Sequence, residues 1–124
     1  MQITNLFKKI FYSFFSIIFI GTYAQASSLH KTSVILDAPW GMTWLDENHL
    51  LITQKSGEIF KVNTQDFSQT PIKHNIPSVQ YGQGGMLDII SEENNVWVTC
   101  SIEKDGKYTT AIYYAELSGD NLVN

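Results

Sequence analysis

The stretch Pro39-Trp40-Gly41-Met42-Thr43-Trp44-Leu45 is followed by a turn at Asp46-Glu47-Asn48, by Leu50-Leu51-Ile52-Thr53, by a second turn at Lys55-Ser56-Gly57, and by Glu58-Ile59-Phe60-Lys61-Val62. Short runs rich in Val, Ile, Trp and Thr, broken by Asp, Asn, Gly and Ser clusters, are strands joined by tight turns. In the first run Trp40, Met42 and Trp44 alternate with smaller residues, the period of a strand with one buried face. This reads as three antiparallel strands in a meander, with Trp40, Met42 and Trp44 pointing into a core.

The order recurs downstream. Gly85-Met86-Leu87-Asp88-Ile89-Ile90 leads to a turn at Glu92-Glu93-Asn94-Asn95, then Val96-Trp97-Val98-Thr99, a turn around Asp105-Gly106, and Thr110-Ala111-Ile112-Tyr113-Tyr114-Ala115-Glu116-Leu117. Gly41-Met42 aligns with Gly85-Met86 at an offset of 44, and Thr53 with Thr99 at an offset of 46. An all-strand repeat of about 40 to 45 residues is the mark of a β-propeller blade, a small twisted sheet that becomes stable only between neighbours. A β-sandwich is the competing all-β architecture, because turn chemistry draws on few residue types. Between the units, Asn63 to Tyr81 contains Pro71 and Pro77, which suit an outer strand or a loop and not a central strand.

Two blades do not close a ring, which takes typically 4 to 8. With no closing strand legible at Asn121-Leu122-Val123-Asn124, the expectation is an incomplete chain. The alternatives are completion of the sheet by a partner and a ring of copies.

The chain has 124 residues, 44% apolar and 16% charged, so disorder is excluded as its main state. Its formal charge is −4, and every cation is a lysine. Without a basic stripe or an arginine fork, nucleic-acid binding is excluded. Cys100 is the one cysteine, which points to a buried structural residue and not to a disulfide or a thiolate metal site. His30, His49 and His74 lie far apart, without an HxH or HxxxH spacing for a metal.

Residues 1–26 read as an export signal. Lys8 and Lys9 precede an apolar run from Ile10 to Gly21, and small Ala24 and Ala26 fit a peptidase pocket, which places cleavage after Ala26. The run is interrupted by Tyr12, Ser13 and Ser16 and falls short of the roughly 20 residues a membrane span needs, which argues against a stable anchor. Residues 27–124 are then a periplasmic or secreted domain whose stability comes from packing and not from disulfides.

Asp37-Ala38-Pro39-Trp40-Gly41-Met42, Leu51-Ile52-Thr53-Gln54-Lys55-Ser56-Gly57-Glu58-Ile59 and Gly82-Gln83-Gly84-Gly85-Met86-Leu87-Asp88 together resemble the glucose/sorbosone dehydrogenase family, within it the soluble aldose sugar dehydrogenases that use pyrroloquinoline quinone (PQQ). The resemblance covers about residues 33 to 120, and the Gly-Gln-Gly-Gly segment is its most specific element. It implies a six-bladed propeller of which this chain supplies the first two blades. PQQ would sit over the central channel, with calcium ions at the quinone and the aldose over the quinone ring. In that family a histidine takes the proton from the anomeric hydroxyl while hydride passes to the quinone C5, giving a lactone; the cofactor carries the redox chemistry.

Carried over by residue, the resemblance assigns one position: Gln83, whose counterpart touches the sugar from a channel-facing loop. An amide donates to and accepts from sugar hydroxyls, as a neutral polyol requires. The family's catalytic histidine belongs to a Gly-Asn-His segment that this sequence lacks, so no catalytic residue is assigned, and none of His30, His49 or His74 is promoted to base. The quinone-binding cations also belong to later blades, so the chain alone is expected to be inactive. A non-catalytic exported propeller that binds a ligand is the rival reading. Trp40, Trp44, Trp97, Tyr113 and Tyr114 are expected to fill the core between blades, and Asp88 to hydrogen-bond between them.

Overall fold

The computed structural model describes residues 27–124; the export signal expected at 1–26 lies outside the described residues. Thr32–Asn124 form a compact unit. Residues 27–31 are exposed, with the Ser28 hydroxyl 2.7 Å from His30 Nε2.

Eight strands form two four-stranded antiparallel sheets in simple sequence order. The first blade is β1 (Pro39–Trp44), β2 (His49–Gln54), β3 (Ile59–Asn63) and β4 (Gln69–Ile72). The second is β5 (Met86–Glu92), β6 (Asn95–Lys104), β7 (Lys107–Ser118) and β8 (Asn121–Val123). Each is therefore four-stranded and not the three-stranded meander that the central runs suggest. Pro71 lies on edge strand β4, where a missing N–H costs no ladder bond, and residues 121–123 form an edge strand of their own.

The turns follow from local side-chain chemistry. The Asp46 carboxylate accepts from the Asn48 N–H at 2.7 Å, and the Asn63 amide oxygen accepts from Gln65 N–H at 2.7 Å, both Asx turns. Asp105 and Gly106 both have positive φ, 55° and 72°, the two-residue turn whose twist matches a hairpin.

The two blades share one register. A bulge interrupts β1–β2 pairing between Pro39 and Met42, and β5–β6 pairing between Met86 and Ile89. After it, Met42 pairs with Ile52 as Ile89 pairs with Val98, and Thr53 pairs with Ile59 as Thr99 pairs with Ile112. Thr53 and Thr99 are thus counterparts, as the sequence offset suggests. Gly41 is not the counterpart of Gly85: the register sets it opposite Asp88, with Trp40 equivalent to Leu87. Matching the Gly-Met pairs misplaces the inner strand because residue identity is not register.

The core lies between the sheets. Leu51, Ile59 and Ile72 of the first blade meet Met86, Ile89, Val96, Val98, Ala115 and Leu122 of the second, all buried. Each fully buried aliphatic side chain contributes about 1.5 to 3 kcal/mol. Thr53 seals the inner end: its hydroxyl accepts from Gly41 N–H at 2.9 Å and donates to the Leu87 carbonyl of the other blade at 2.5 Å. At the outer rim Lys73 N–H donates to the Asp120 carbonyl, Leu122 N–H to the Lys73 carbonyl, and Lys61 pairs with Asp120.

The expected burial of β1 is reversed. Trp40, Met42 and Trp44 are 50%, 62% and 61% exposed, whereas the Gly41 and Thr43 side of the strand faces the second blade. Alternation identifies two faces and does not say which has a neighbour. The aromatic expectation is corrected in the same way: Tyr113 is half-buried, but Trp40, Trp44 and Tyr114 lie on faces that no other sheet covers among the described residues, and Trp97 packs against Tyr114, ring centroids 5.4 Å apart, and not between the sheets. The Asp88 carboxylate accepts from the next residue's N–H, Ile89, at 2.9 Å, so it braces its own bulge and makes no hydrogen bond between blades. Cys100 is fully buried, and burial pushes its thiol pKa up, as a structural cysteine requires.

Candidate functional site

The Gly82-Gln83-Gly84-Gly85 segment forms a turn at the start of the second blade's innermost strand, and its glycines are required by backbone conformation or by close packing. Gly82 has φ of +56°, a left-handed conformation that glycine adopts without strain. A Cβ on Gly84 would fall 2.3 Å from the Ser101 hydroxyl, and one on Gly85 would fall 2.2 Å from the Lys55 carbonyl. The turn is thus pressed between the β2–β3 turn of the first blade and the β6 strand of the second. Gly84 N–H closes it onto the Tyr81 carbonyl at 2.7 Å.

Both blades grip it. Lys55 Nζ donates to the Gly82 carbonyl at 2.7 Å, and Met86 N–H donates to the Lys55 carbonyl at 3.1 Å. From the other side Val79 N–H donates to the Ser101 carbonyl at 2.8 Å, and Ser101 N–H to the Gly85 carbonyl at 2.8 Å. Tyr81 stacks on Tyr108, ring centroids 4.0 Å apart and planes 10° from parallel. Tyr108 reaches it because the β6–β7 hairpin runs past the first residue of β5, which pairs with Cys100. Gln83 sits at the apex, exposed to solvent.

Charge near the turn is sparse. Glu58, on the neighbouring β2–β3 turn, accepts from the Ser56 hydroxyl, which holds its carboxyl below the usual range. His74 is half-buried on the outer side, its Nδ1 accepting from Ile76 N–H at 3.2 Å. Burial lowers its pKa, opposed by a hydrogen bond with the Gly57 backbone and by the Glu58 charge, so it stays neutral at pH 7. His49 lies at the far end of β2, bonded to Asp46 at 2.9 Å. The structure brings none of the three histidines together, and Gln83 alone of the sequence-derived candidates stands on the gripped turn. Sequence reasoning passed over Lys55, Tyr81 and Tyr108, since their partners lie 27 residues away in the chain in both cases and no local pattern marks them.

PQQ would need several converging cations for its carboxylates. Around this turn the described residues offer Lys55, whose ammonium is already bonded to a carbonyl, and the sequence has no arginine. Among the described residues no three His, Cys, Asp or Glu side chains gather that could hold a metal ion. The residues described here therefore do not fit as the holder of the quinone, and no chemical step is assigned to them through it. Among the described residues no helix is long and apolar enough to cross a membrane.

The Glucose / Sorbosone dehydrogenase family model matches residues 36–124. The soluble aldose sugar dehydrogenase of Escherichia coli, in its apo form, is 30% identical, with a TM-score of 0.63 over 70% of this chain and 28% of that one. A glucose dehydrogenase crystal structure is 28% identical, with a TM-score of 0.66 over 72% of this chain and 28% of its own. The PQQ-bound aldose sugar dehydrogenase of Streptomyces coelicolor shares the fold at 20% identity, with a TM-score of 0.65 over 78% of this chain and 31% of that one. No curated protein matches. The chain thus spans less than a third of each of these structures, as two blades of a larger propeller would. With a family match that runs from the strand-opening segment before β1 through β8, and with the Gly-Gln-Gly-Gly turn explained by its packing, the chain belongs to the glucose/sorbosone dehydrogenase family.

Proposed function

We propose that residues 27–124 are the first two blades of an exported PQQ- and calcium-dependent aldose sugar dehydrogenase, which oxidises sugars at the anomeric carbon to lactones. Within it Gln83 contacts the aldose. The observation that carries this reading is the turn itself: four glycine-rich residues clamped by Lys55 and Ser101 leave one exposed, uncharged amide at the apex. An amide on a backbone held in this way suits a neutral polyol, because it gives and accepts hydrogen bonds from a turn that need not be ordered on binding. Family membership and the 30% identity to the Escherichia coli enzyme support the reaction. The base and the quinone-binding cations come from other blades, so the 124-residue chain alone is inactive. Residues 1–26 direct export and are removed after Ala26.

The test uses the full-length protein that carries these blades, loaded with PQQ and calcium and assayed for dye-linked aldose oxidation. Gln83→Ala should raise KM about tenfold, the equivalent of one hydrogen bond at about 1.4 kcal/mol. An unchanged KM would remove Gln83 from the sugar site. Saturable sugar binding without turnover would favour a binding module instead. Mass spectrometry of periplasmic protein should find Ser27 at the amino terminus; retention of residues 1–26 would overturn the export reading.

A further inference from the structure

We propose that Tyr108 is a positioning residue for Gln83, acting through the ring of Tyr81; the role deepens the sugar-contact reading of Gln83 and rests on it. Gln83 stands in a two-residue loop, Gly82-Gln83, between Tyr81 and Gly84. The two flanking residues exchange both backbone bonds: Gly84 N–H donates to the Tyr81 carbonyl at 2.7 Å, and Tyr81 N–H to the Gly84 carbonyl at 3.3 Å. Positive φ at Gly82 and not at Gln83 is the glycine-first pattern of a type II′ loop. The backbone of Gln83 has little freedom of its own in such a loop, so the Tyr81–Gly84 pair aims the amide. Gly84 is fixed by its close packing on Ser101. Tyr81 is fixed by its ring, which lies on that of Tyr108 with centroids 4.0 Å apart and planes 10° from parallel.

Tyr108 reaches Tyr81 through a difference between the two blades. Thr53 and Thr99 are register counterparts, yet β2 ends at Gln54, one residue past its threonine, whereas β6 ends at Lys104, five past its own. β7 is longer to match: it begins at Lys107, five residues before Ile112, whereas β3 begins at Ile59, the counterpart of Ile112. The first blade forms its sheet without this overhang, so the fold of a blade does not require it. The overhang is a regular ladder, in which Glu103 pairs with Tyr108 and Lys104 with Lys107 across the Asp105-Gly106 turn. At its root Ser101 accepts from Val79 N–H and donates to the Gly85 carbonyl, both at 2.8 Å, while Lys55 of the first blade holds the Gly82 carbonyl. Removing the Tyr108 ring leaves these ties in place and loosens only the loop between them, which separates positioning from folding.

The experiment uses the full-length protein that carries these blades, with two readouts. In hydrogen exchange the Tyr81 and Gly84 amides should exchange about two- to tenfold faster in Tyr108→Ala, the fold-change of one aromatic pair, with the β6 ladder and the melting temperature unchanged. In dye-linked aldose oxidation, with PQQ and calcium bound, the same variant should raise KM about two- to tenfold, no more than Gln83→Ala does, at unchanged kcat, because a loosened loop loses ground-state and transition-state binding alike. Tyr81→Ala should reproduce both changes, and Tyr108→Phe, which keeps the ring, should show neither. In a Gln83→Ala background Tyr108→Ala should add nothing to KM, since both act on one contact. Unchanged exchange, KM effects that add in the double variant, or a lower kcat or melting temperature at unmoved KM while Gln83→Ala raises it would each overturn the role. If Gln83→Ala leaves KM unmoved, the sugar assignment fails by itself; faster exchange then still supports a loop held by Tyr108, and unchanged exchange overturns it.

Discussion

Ile59 and Ile112 occupy the same register position, one in each blade, opposite Thr53 and Thr99 respectively. Yet Ile59 is 1% exposed and Ile112 67%. Same residue, same strand, same partner, and the difference is the presence of a sheet on one side. A blade's side chains have no fixed role: the blade supplies two apolar faces, and its neighbour decides which one becomes core. The inner strands make the same point in polar form, since Gly41 is forced by the closeness of Asp88, while its counterpart Asp88 sits at the surface with room for a carboxylate.

The largest effect should come from breaking that pair. Ile59→Ala should cost about 2 to 5 kcal/mol in denaturant unfolding, the loss of transfer energy plus a cavity. Ile112→Ala should stay within about 0.5 kcal/mol in the 124-residue chain, like other surface substitutions. Equal costs would mean that the second blade's outward face is covered. Next is Gly41→Ala, which places a Cβ 2.7 Å from the Asp88 Cα and should cost about 1 to 3 kcal/mol by overpacking. A silent substitution would show that the blades slide apart easily.

The threonines sharpen the comparison. Thr53→Val strips the hydroxyl from a fully buried seal and leaves Gly41 N–H and the Leu87 carbonyl without it, a loss of about 1 to 3 kcal/mol. Thr99→Val should cost less than half as much in the 124-residue chain, where water reaches the freed groups. Thermal denaturation of the pair measures both.

The smallest effect is a pH dependence confined to the first blade. His74 has a folded pKa below its unfolded value, so between the two the unfolded chain binds more protons and stability falls as pH drops from about 6.5. His74→Gln should flatten stability just below pH 6.5. Asp46 and Glu58, whose carboxyls are held low by hydrogen bonds, give a separate decline only below about pH 4.5. A slope that survives the substitution would assign it elsewhere.

Much of this was legible along the chain. Strand runs, turn residues and the repeat identify the blades, and Gly82-Gln83-Gly84-Gly85 marks the turn that the structure explains atom by atom. The site's supports were not legible: Lys55 reads as an ordinary turn lysine until its ammonium is seen on the Gly82 carbonyl, and Tyr108 as an ordinary strand residue until its hairpin overruns β5.

What the sequence determined by itself is local: where strands start and stop, which residues alternate, where a positive φ demands glycine, and to which family the pattern is similar. Only the tertiary structure decided that Trp40, Met42 and Trp44 face outward, that Gly41 answers to Asp88 and not to Gly85, and that two blades hold one turn between them. Periodicity in a strand is a property of its own backbone, whereas burial is a relation between sheets, and no chain states that relation until the sheets have packed.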